Sequence, residues 1–170
     1  MWSIKKGNEI DRKEWDELVV TSTTSSFFQT FECFSFYQTL SFLEGFVYGV
    51  YNNNQLSALA CGYLIAERFP LVRYFSRRAI VPGGLLLRNN VDTESIVCLL
   101  NAIKTDLSKK AIYIEFRNYN EYSVHREIIE TCGFEYHKHL NYRLNTPSID
   151  FVLDNFSKSR RRQIKNAEIS

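Results

Sequence analysis

The stretch from Gln55 to Ala66, QLSALACGYLIA, places the tightest constraint on how this chain folds. It is apolar on both faces of an extended strand, and such strands lie in the middle of sheets that are covered on each side. The preceding run at 46–52, FVYGVYN, predicts a second strand, and Asn52-Asn53-Asn54 supplies residues that tolerate the positive φ angles of a tight hairpin. We therefore expect an antiparallel pair at the centre of a sheet.

Helix signals precede this pair. Asp11 and Glu14 form a capping-box pattern, and Ile10 and Trp15 occupy the staple positions around it, so a helix is predicted to begin at Asp11. Two further elements are predicted on this side, a short strand at 2–6 and a strongly aromatic helix, TFECFSFYQTL, near 30–40.

Strands and helices alternate after the central pair. A third strand is predicted at 72–79, and Pro82-Gly83-Gly84 breaks it. Asp92 caps a predicted helix that runs to about 109. The remaining predictions are a strand at 111–116, a helix near 121–132 that Gly133 and Phe134 end in a Schellman motif, and a strand at 135–144. This order predicts an α/β (α+β) fold, with a mixed, largely antiparallel sheet and helices on both faces.

Length and charge limit the classes of protein that remain. A chain of 170 residues with 45% apolar residues accommodates one globular domain with a substantial core. The net charge of +2 is unevenly spread, because five positive charges occur near the end with no acid between them: Lys158, Arg160, Arg161, Arg162 and Lys165. Binding of an anion must therefore depend on this tail or on local clusters.

Metal and disulfide chemistry have no support in the sequence. The four cysteines have neither zinc-ligand spacing nor a disulfide framework, and they are Cys33, Cys61, Cys98 and Cys132. His137 and His139 would share one strand face, but no third ligand is signalled, so we interpret them as exposed histidines. The first ten residues are polar and mixed, and no apolar run approaches the length of a membrane span. We expect a cytoplasmic protein, with an association at the inner membrane surface left open.

The last part of the chain is helical and basic. Helical spacing relates Ile149, Val152 and Phe156, and Ile164 continues an amphipathic pattern after a break at Ser157. We expect a domain over 1–146 and a basic helical segment over 147–170 that leads toward a second domain. The cationic run could bind RNA phosphates or anionic lipid headgroups, or it could form a solvated or interdomain face.

Two pairs of polar residues are candidates for binding. Arg77 and Arg78 precede the glycine-containing break, and guanidinium groups beside glycine backbone suit a phosphate or carboxylate, although adjacent strand residues point to opposite faces. Glu115 and Arg117 end the strand at 111–116. Glu115 could accept a proton or could pair with Arg117 on the same face, and we favour the structural pairing.

Four segments, in this order, resemble the FemABX family, whose members are built from two GNAT-like halves. The segments are Phe27-Phe28-Gln29-Thr30, Arg78 to Gly84 (RAIVPGG), Ala111 to Arg117 (AIYIEFR) and Ser159 to Ala167 (SRRRQIKNA). The first segment lacks the tryptophan that follows it in the family, and Gly84 stands where proline is usual. The resemblance implies that this chain is the N-terminal GNAT-like half.

The resemblance also implies transfer of an aminoacyl or other acyl group to an amine. In the best-known branch, aminoacyl-tRNA is the donor and a peptidoglycan precursor is the acceptor. The first half helps to hold the acceptor there, so Gln29, Arg77, Arg78 and Arg117 become candidate substrate contacts. The expected partners are a second GNAT-like domain of the same chain, the precursor and aminoacyl-tRNA, and not DNA. No catalytic residue is implied, and we expect the isolated half to be inactive.

A coenzyme A loop is missing from the sequence. GNAT acetyltransferases hold the pyrophosphate with Gln/Arg-x-x-Gly-x-Gly/Ala before a helix, whereas the segment here is LLLRNNVD, without glycine, and Asp92 and Glu94 would repel a phosphate. We predict no bound cofactor, with aminoacyl-tRNA or acyl-CoA as co-substrate of the full-length protein. Two alternatives stay open: a stand-alone, non-catalytic GNAT-like binding domain with an RNA- or partner-binding tail, and a complete small acetyltransferase, which the missing loop disfavours.

Overall fold

A computed structural model describes residues 1–66, 75–141 and 145–168. The chain forms two compact units, Met1–His137 and Lys138–Ser170. The first unit contains the sheet and its covering helices, and the second contains two helices.

One sheet of six strands organises the first unit. Its strands are β1 (Trp2–Lys6), β2 (Leu43–Asn52), β3 (Gln55–Ile65), β4 (Arg78–Gly83), β5 (Leu86–Leu87) and β6 (Tyr113–Asn118). The order across the sheet is β1-β2-β3-β4-β6, and β5 pairs with β3. All neighbours are antiparallel except β4 and β6, which run parallel. The predicted class, a mixed and largely antiparallel sheet with helices, is confirmed.

The central hairpin forms as the sequence predicts. Asn53 and Asn54 have φ angles of 49° and 63°, which suit the hairpin turn between the paired residues Asn52 and Gln55. Every residue from Leu56 to Gly62 in β3 is buried, because both faces of this strand are covered.

Two helices cover one face of the sheet. They are α1 (Arg12–Thr21) and α2 (Phe31–Thr39). The Asp11 carboxylate accepts hydrogen bonds from the backbone N–H groups of Lys13 and Glu14, so the predicted cap is present. Trp15 is 1% exposed and packs with Ile10 in the apolar cluster between these helices and the sheet.

The opposite face is covered by α3 (Thr93–Leu107) and α4 (Arg126–Thr131). Asp92 caps α3 through the N–H of Ser95, as predicted. The N–H of Phe134 donates to the carbonyl oxygen of Ile129 at 3.3 Å, and Gly133 has a φ of +84°, so the predicted Schellman closure is confirmed. The helix itself is shorter than predicted, since a 3₁₀ turn over Ser123–His125 precedes it.

Two predicted strands need correction. The strand predicted at 72–79 falls partly on residues 67–74, outside the described residues, and the described part is extended only from Arg78, because Phe75 and Ser76 are helical. The strand predicted at 135–144 is wrong over 135–141, which is neither strand nor helix, and 142–144 lie outside the described residues. A strand needs a ladder partner, and among the described residues no strand pairs with 135–141, all of which are exposed.

The second unit contains α5 (Ile149–Asn155) and α6 (Lys158–Glu168). Ser148 caps α5 through the N–H of Phe151, and the helices are separated at Phe156 and Ser157, where the sequence predicts a break. Across the described residues, none of the helices combines the length and the apolar character needed to cross a membrane.

Candidate functional site

The parallel pair β4 and β6 defines the candidate site. The register runs from Arg78 opposite Tyr113 to Gly83 opposite Asn118, so both strands end together at Gly83 and Asn118. Polar groups at the carboxyl ends of parallel strands commonly line ligand clefts. Helix α1 packs on β3, and α2 packs on β2 and β3, so within the described part of the first unit these two helices lie away from the outer part of this face, near β6.

Gly83 and Gly84 form a bulge where β4 passes into β5. Ile80 pairs with Tyr63, and Leu86 pairs with Leu59. Between these two pairs the chain advances six residues along β4 and β5 but only four along β3, so two residues are extra. The two extra residues have φ angles of +81° and +77°, a region that glycine enters without strain. Proline cannot adopt a φ of +77°, which gives a physical reason why Gly84 is not the proline of the family pattern.

Gln29 fixes this bulge from inside the protein. Its side chain is fully buried, and its amide nitrogen donates to the carbonyl oxygens of Gly83 and Gly84, each at 3.2 Å. Its amide oxygen accepts from the Ser26 hydroxyl at 3.1 Å, and its backbone carbonyl accepts from the Trp15 indole at 2.7 Å. The sequence analysis predicts that Gln29 contacts substrate; in the structure its amide is fully buried and its hydrogen bonds join it to the bulge and to Ser26.

Tyr122 supports the bulge from the other side and was missed by the sequence analysis. Its hydroxyl donates to the carbonyl oxygen of Leu85 and lies 3.3 Å from that of Gly83. Burial raises the pKa of Tyr122 to about 12, so the hydroxyl keeps its proton and remains a donor at neutral pH. No sequence signal distinguishes Tyr122 from the other tyrosines, because its partners are backbone atoms 37 and 39 positions away.

Glu115 and Arg117 form the structural pair that the sequence favours. The guanidinium of Arg117 donates through Nε to Oε1 of Glu115 at 2.9 Å and through a terminal nitrogen to Oε2 at 3.2 Å. The hydrogen bonds that Arg117 donates to Glu115 raise the pKa of Arg117 above its usual value, so this guanidinium is always charged. Both side chains are partly exposed, and each carboxylate oxygen retains a second acceptor position for another donor.

The arginines nominated from sequence do not converge. Arg78 is exposed and lies opposite Tyr113 at the start of the parallel pair, whereas Arg117 lies opposite Pro82. These two levels are four residue steps apart along β4, a distance of about 13 Å. Arg77 forms an ion pair with Glu44, which Lys110 also contacts at 3.1 Å. The three nominated arginines thus lie at two separate places, near opposite ends of β4 and β6.

An open groove of about 280 Å³ lies beside the Pro82–Arg117 level of this pair. Aromatic and apolar side chains supply most of its lining, and Arg117 is the charged residue among the lining residues that the structure describes. Phe36 and Phe42 are each 56% exposed there, and Phe28 is 37% exposed. We call this surface the aromatic groove; its other lining residues are Tyr37, Leu40, Leu43, Tyr63, Ile65 and Tyr119.

Metal ligands are not assembled in the described residues. No group of three or more histidine, cysteine, aspartate or glutamate side chains there could hold a metal ion. His137 and His139 are exposed, in agreement with their interpretation from sequence.

Comparisons with known proteins bear on the fold. No family model and no curated protein matches the chain. Among solved structures, an aminoglycoside N-acetyltransferase in complex with CoA has a TM-score of 0.60 at 10% identity, covering 86% of this chain and 95% of that chain. A ribosomal-protein-alanine N-acetyltransferase from Brucella melitensis biovar Abortus 2308 has a TM-score of 0.58 at 12% identity, covering 85% and 99%.

A third similar structure is glucosamine-6-phosphate N-acetyltransferase from Arabidopsis thaliana, with a TM-score of 0.52 at 10% identity, covering 85% of this chain and 98% of that chain. Identities this low show the fold alone. The first unit therefore has the fold of the GNAT N-acetyltransferases, as the sequence predicts.

The residues before α3 do not fit coenzyme A. Asp92 occupies the amino terminus of this helix, where it accepts from the N–H of Ser95 at 2.8 Å. Its carboxylate also accepts from the Ser95 hydroxyl at 2.8 Å, from the Asn52 amide at 3.0 Å and from the Trp2 indole at 3.2 Å. A pyrophosphate would have to displace this bound carboxylate and would meet Glu94 in the same turn.

The parallel strands also leave no gap between them for an extended cofactor arm. The ladder between β4 and β6 is continuous over six residue pairs, from Arg78 and Tyr113 to Gly83 and Asn118. In the described residues, neither the amino terminus of α3 nor the pair of β4 and β6 therefore offers the features that fit coenzyme A.

Proposed function

We propose that this chain is the acceptor-holding lobe of an amine N-acyltransferase of the FemABX kind. One observation carries the proposal: Asp92 fills the helix terminus at which a GNAT fold would hold a cofactor pyrophosphate. A lobe that cannot hold the donor in this way, but has an open groove at the carboxyl ends of its parallel strands, suits the acceptor. The donor would be held by a second GNAT-like domain.

The reaction proposed for the complete enzyme joins an aminoacyl ester to an amine. The neutral amine nitrogen attacks the ester carbonyl carbon, a C–N bond forms, and the C–O bond to the tRNA ribose breaks. The amine loses one proton, and the departing ribose oxygen takes one up. This lobe would contribute by holding the amine in place, which is the part of catalysis that comes from proximity and orientation.

Within this proposal, Arg117 is the acceptor contact and Gln29 positions the bulge beside it. Arg77 and Arg78 would contact an anionic group at the far end of β4, separate from the aromatic groove. A peptidoglycan precursor, the acceptor of the best-known branch, is the first acceptor to test.

Thermal unfolding of the full-length protein tests the proposal. A peptidoglycan precursor and a non-hydrolysable aminoacyl-tRNA mimic, each at about 100 times its dissociation constant, should raise the melting temperature by about 5 °C or more. Arg117→Ala should remove the shift given by the precursor. Arg12→Ala is the matched control, because Arg12 is also an exposed arginine paired with a carboxylate, Asp16, and lies away from the groove. Absence of both shifts, or tight binding of coenzyme A to this lobe, would overturn the proposal.

A second candidate function has its own support. Lys158, Arg161, Arg162 and Lys165 lie within one 100° arc of α6, and within the described ranges none of them has a carboxylate partner. An RNA- or partner-binding module would use such a helix. Its test is RNA binding whose affinity falls with salt and is lost on reversal of Arg161 and Arg162 to glutamate.

A further inference from the structure

Three phenylalanine rings of the aromatic groove keep much of their surface in water. Phe36 and Phe42 are each 56% exposed and Phe28 is 37% exposed, and all three line the same groove. Exposed apolar residues that are scattered singly are ordinary, whereas exposed apolar rings that line one groove form the kind of surface that can bind a partner or a ligand. An apolar occupant would remove this apolar area from water.

The charge around the groove selects against polyanions. Among the described residues that line the groove, Arg117 is the charged one, and both oxygens of Glu115 neutralise it through a two-bond ion pair. Such a pair presents no net positive field to a phosphate group. An occupant that binds mainly by burying apolar surface, and that carries at most one charge, fits this surface better than a nucleotide.

The position of the groove favours an amine. It reaches the Pro82–Arg117 level near the carboxyl ends of β4 and β6, where α/β folds bind ligands. A protonated amine can use an acceptor position that Arg117 leaves on the Glu115 carboxylate. The faces of Phe28 and the neighbouring tyrosines also attract an ammonium group.

From these three observations we infer that the aromatic groove binds the apolar substituent of the amine acceptor, a short alkyl or aryl group, with its ammonium at the Glu115–Arg117 end. This inference rests on the proposed function, since it specifies the acceptor of that function. It specifies the part of the acceptor that enters the aromatic groove as an apolar group that carries the amine, with any anionic part of the acceptor lying outside the groove.

A homologous series of amines tests the inference on the full-length protein. We would titrate butylamine, hexylamine, octylamine and benzylamine into ¹⁵N-labelled protein and follow backbone resonances. The binding constant should rise between about twofold and fourfold for each added methylene, because burial of a methylene contributes up to about 0.8 kcal/mol. Shifts should centre on Arg117 and Tyr119. Affinity that is independent of chain length would overturn the inference.

Paired variants locate the binding. Phe36→Ser with Phe42→Ser should weaken hexylamine binding at least tenfold. Because both rings are exposed, the double variant should keep the fold, and thermal unfolding checks that it does. Val20→Ser with Val124→Ser is the matched control, since these valines are 84% and 85% exposed and lie outside the groove. Equal weakening by both pairs, or none by the phenylalanine pair, would overturn the inference.

Two further results separate this inference from the proposed function. Self-association of the wild type that Phe36→Ser with Phe42→Ser abolishes, without amine binding, would identify the groove as a contact between copies and overturn the inference. If the full-length protein transferred acyl groups to hydrophilic amines at a rate that the phenylalanine variants left unchanged, the inference would also be overturned, while the proposed function would stand. Groove-dependent binding of hexylamine without any acyl transfer would support the groove as an amine site and count against the proposed function.

Discussion

The side-chain amide of Gln29 donates to the backbone carbonyl of Gly83 across 54 positions of the sequence, at 3.2 Å and in a fully buried setting. The same nitrogen holds Gly84, so one side chain connects the 3₁₀ turn over Phe27–Gln29 to the bulge after β4. Loss of this group would remove a donor from two buried carbonyl oxygens, of which only that of Gly83 also has the Tyr122 hydroxyl nearby, at 3.3 Å. Leaving a buried acceptor unsatisfied costs more than the bond itself contributes.

We therefore predict that Gln29→Ala lowers the free energy of unfolding by about 2–3 kcal/mol in urea denaturation. Gln38→Ala is the control, because Gln38 also donates to a glycine carbonyl, that of Gly45 at 3.1 Å, but is exposed. It should cost less than about 1 kcal/mol. Equal costs for the two variants would contradict the role of burial.

The second prediction concerns the stability of a variant at Gly84, in the same bulge. An added methyl group would lie 2.2 Å from Oδ1 of Asn118, and the φ angle of +77° is strained for any residue with a side chain. Gly84→Ala should cost more than about 2 kcal/mol in the free energy of unfolding.

Gly7→Ala is the matched control for backbone strain alone. Gly7 has a φ of +53°, and nothing lies within 4 Å of its added methyl group. Its cost should be about 1 kcal/mol, so the difference between the two variants measures the contact with Asn118. If Gly84→Ala were the cheaper change, the close approach of Asn118 in this structure would be wrong.

The hairpin at Asn53-Asn54, the cap at Asp11 and the Schellman closure at Gly133 could be predicted because each depends on residues adjacent in sequence. The strand predicted at 135–144 failed over 135–141 because a strand depends on a neighbour, which local alternation does not reveal.

In the candidate site, too, the sequence predicts local contacts but not those between distant residues. The pair of Glu115 and Arg117 was predictable from spacing on one strand, two residues apart. The support of the bulge by Gln29 and Tyr122 was not, because it joins side chains to backbone atoms of a distant turn. The aromatic helix near 30–40 was recognised, but which rings stay exposed depends on where α2 lies against β2 and β3.

The pair of Glu115 and Arg117 should matter little for stability. Both side chains are partly exposed, and such ion pairs contribute between about 0 and 1 kcal/mol. A double-mutant cycle with Glu115→Ala and Arg117→Ala should give a coupling energy below about 1 kcal/mol by urea denaturation. Retained stability makes Arg117→Ala a usable variant for ligand binding, whereas a coupling energy above about 2 kcal/mol would assign the pair a structural role.

Asp92 should stabilise the amino terminus of α3. Its carboxylate accepts hydrogen bonds from Ser95, Asn52 and Trp2. Asp92→Ala therefore removes the helix cap together with one hydrogen bond to β2 and one to β1. We expect a cost of about 1–2 kcal/mol in the free energy of unfolding at pH 7. Asp92→Asn retains an N-cap side chain, so its free energy of unfolding should lie between those of the wild type and Asp92→Ala. Coenzyme A should bind none of the three proteins, as calorimetry can check.

The same carboxylate predicts a dependence of stability on pH. Burial raises the pKa of Asp92, but hydrogen bonds from Ser95, Asn52 and Trp2 outweigh it, so the pKa is lowered in the folded protein. A lowered folded pKa contributes stability above the unfolded value, near 3.9, and that contribution is lost as the pH falls through the folded value. Urea denaturation between pH 7 and pH 2.5 should therefore show the wild-type curve falling toward that of Asp92→Asn from about pH 4 downwards. Asp92→Ala and Asp92→Asn both lack the titrating group, so their two curves should run parallel. A wild-type advantage over Asp92→Asn that stays constant with pH would show that the charge of Asp92 does not stabilise the helix terminus.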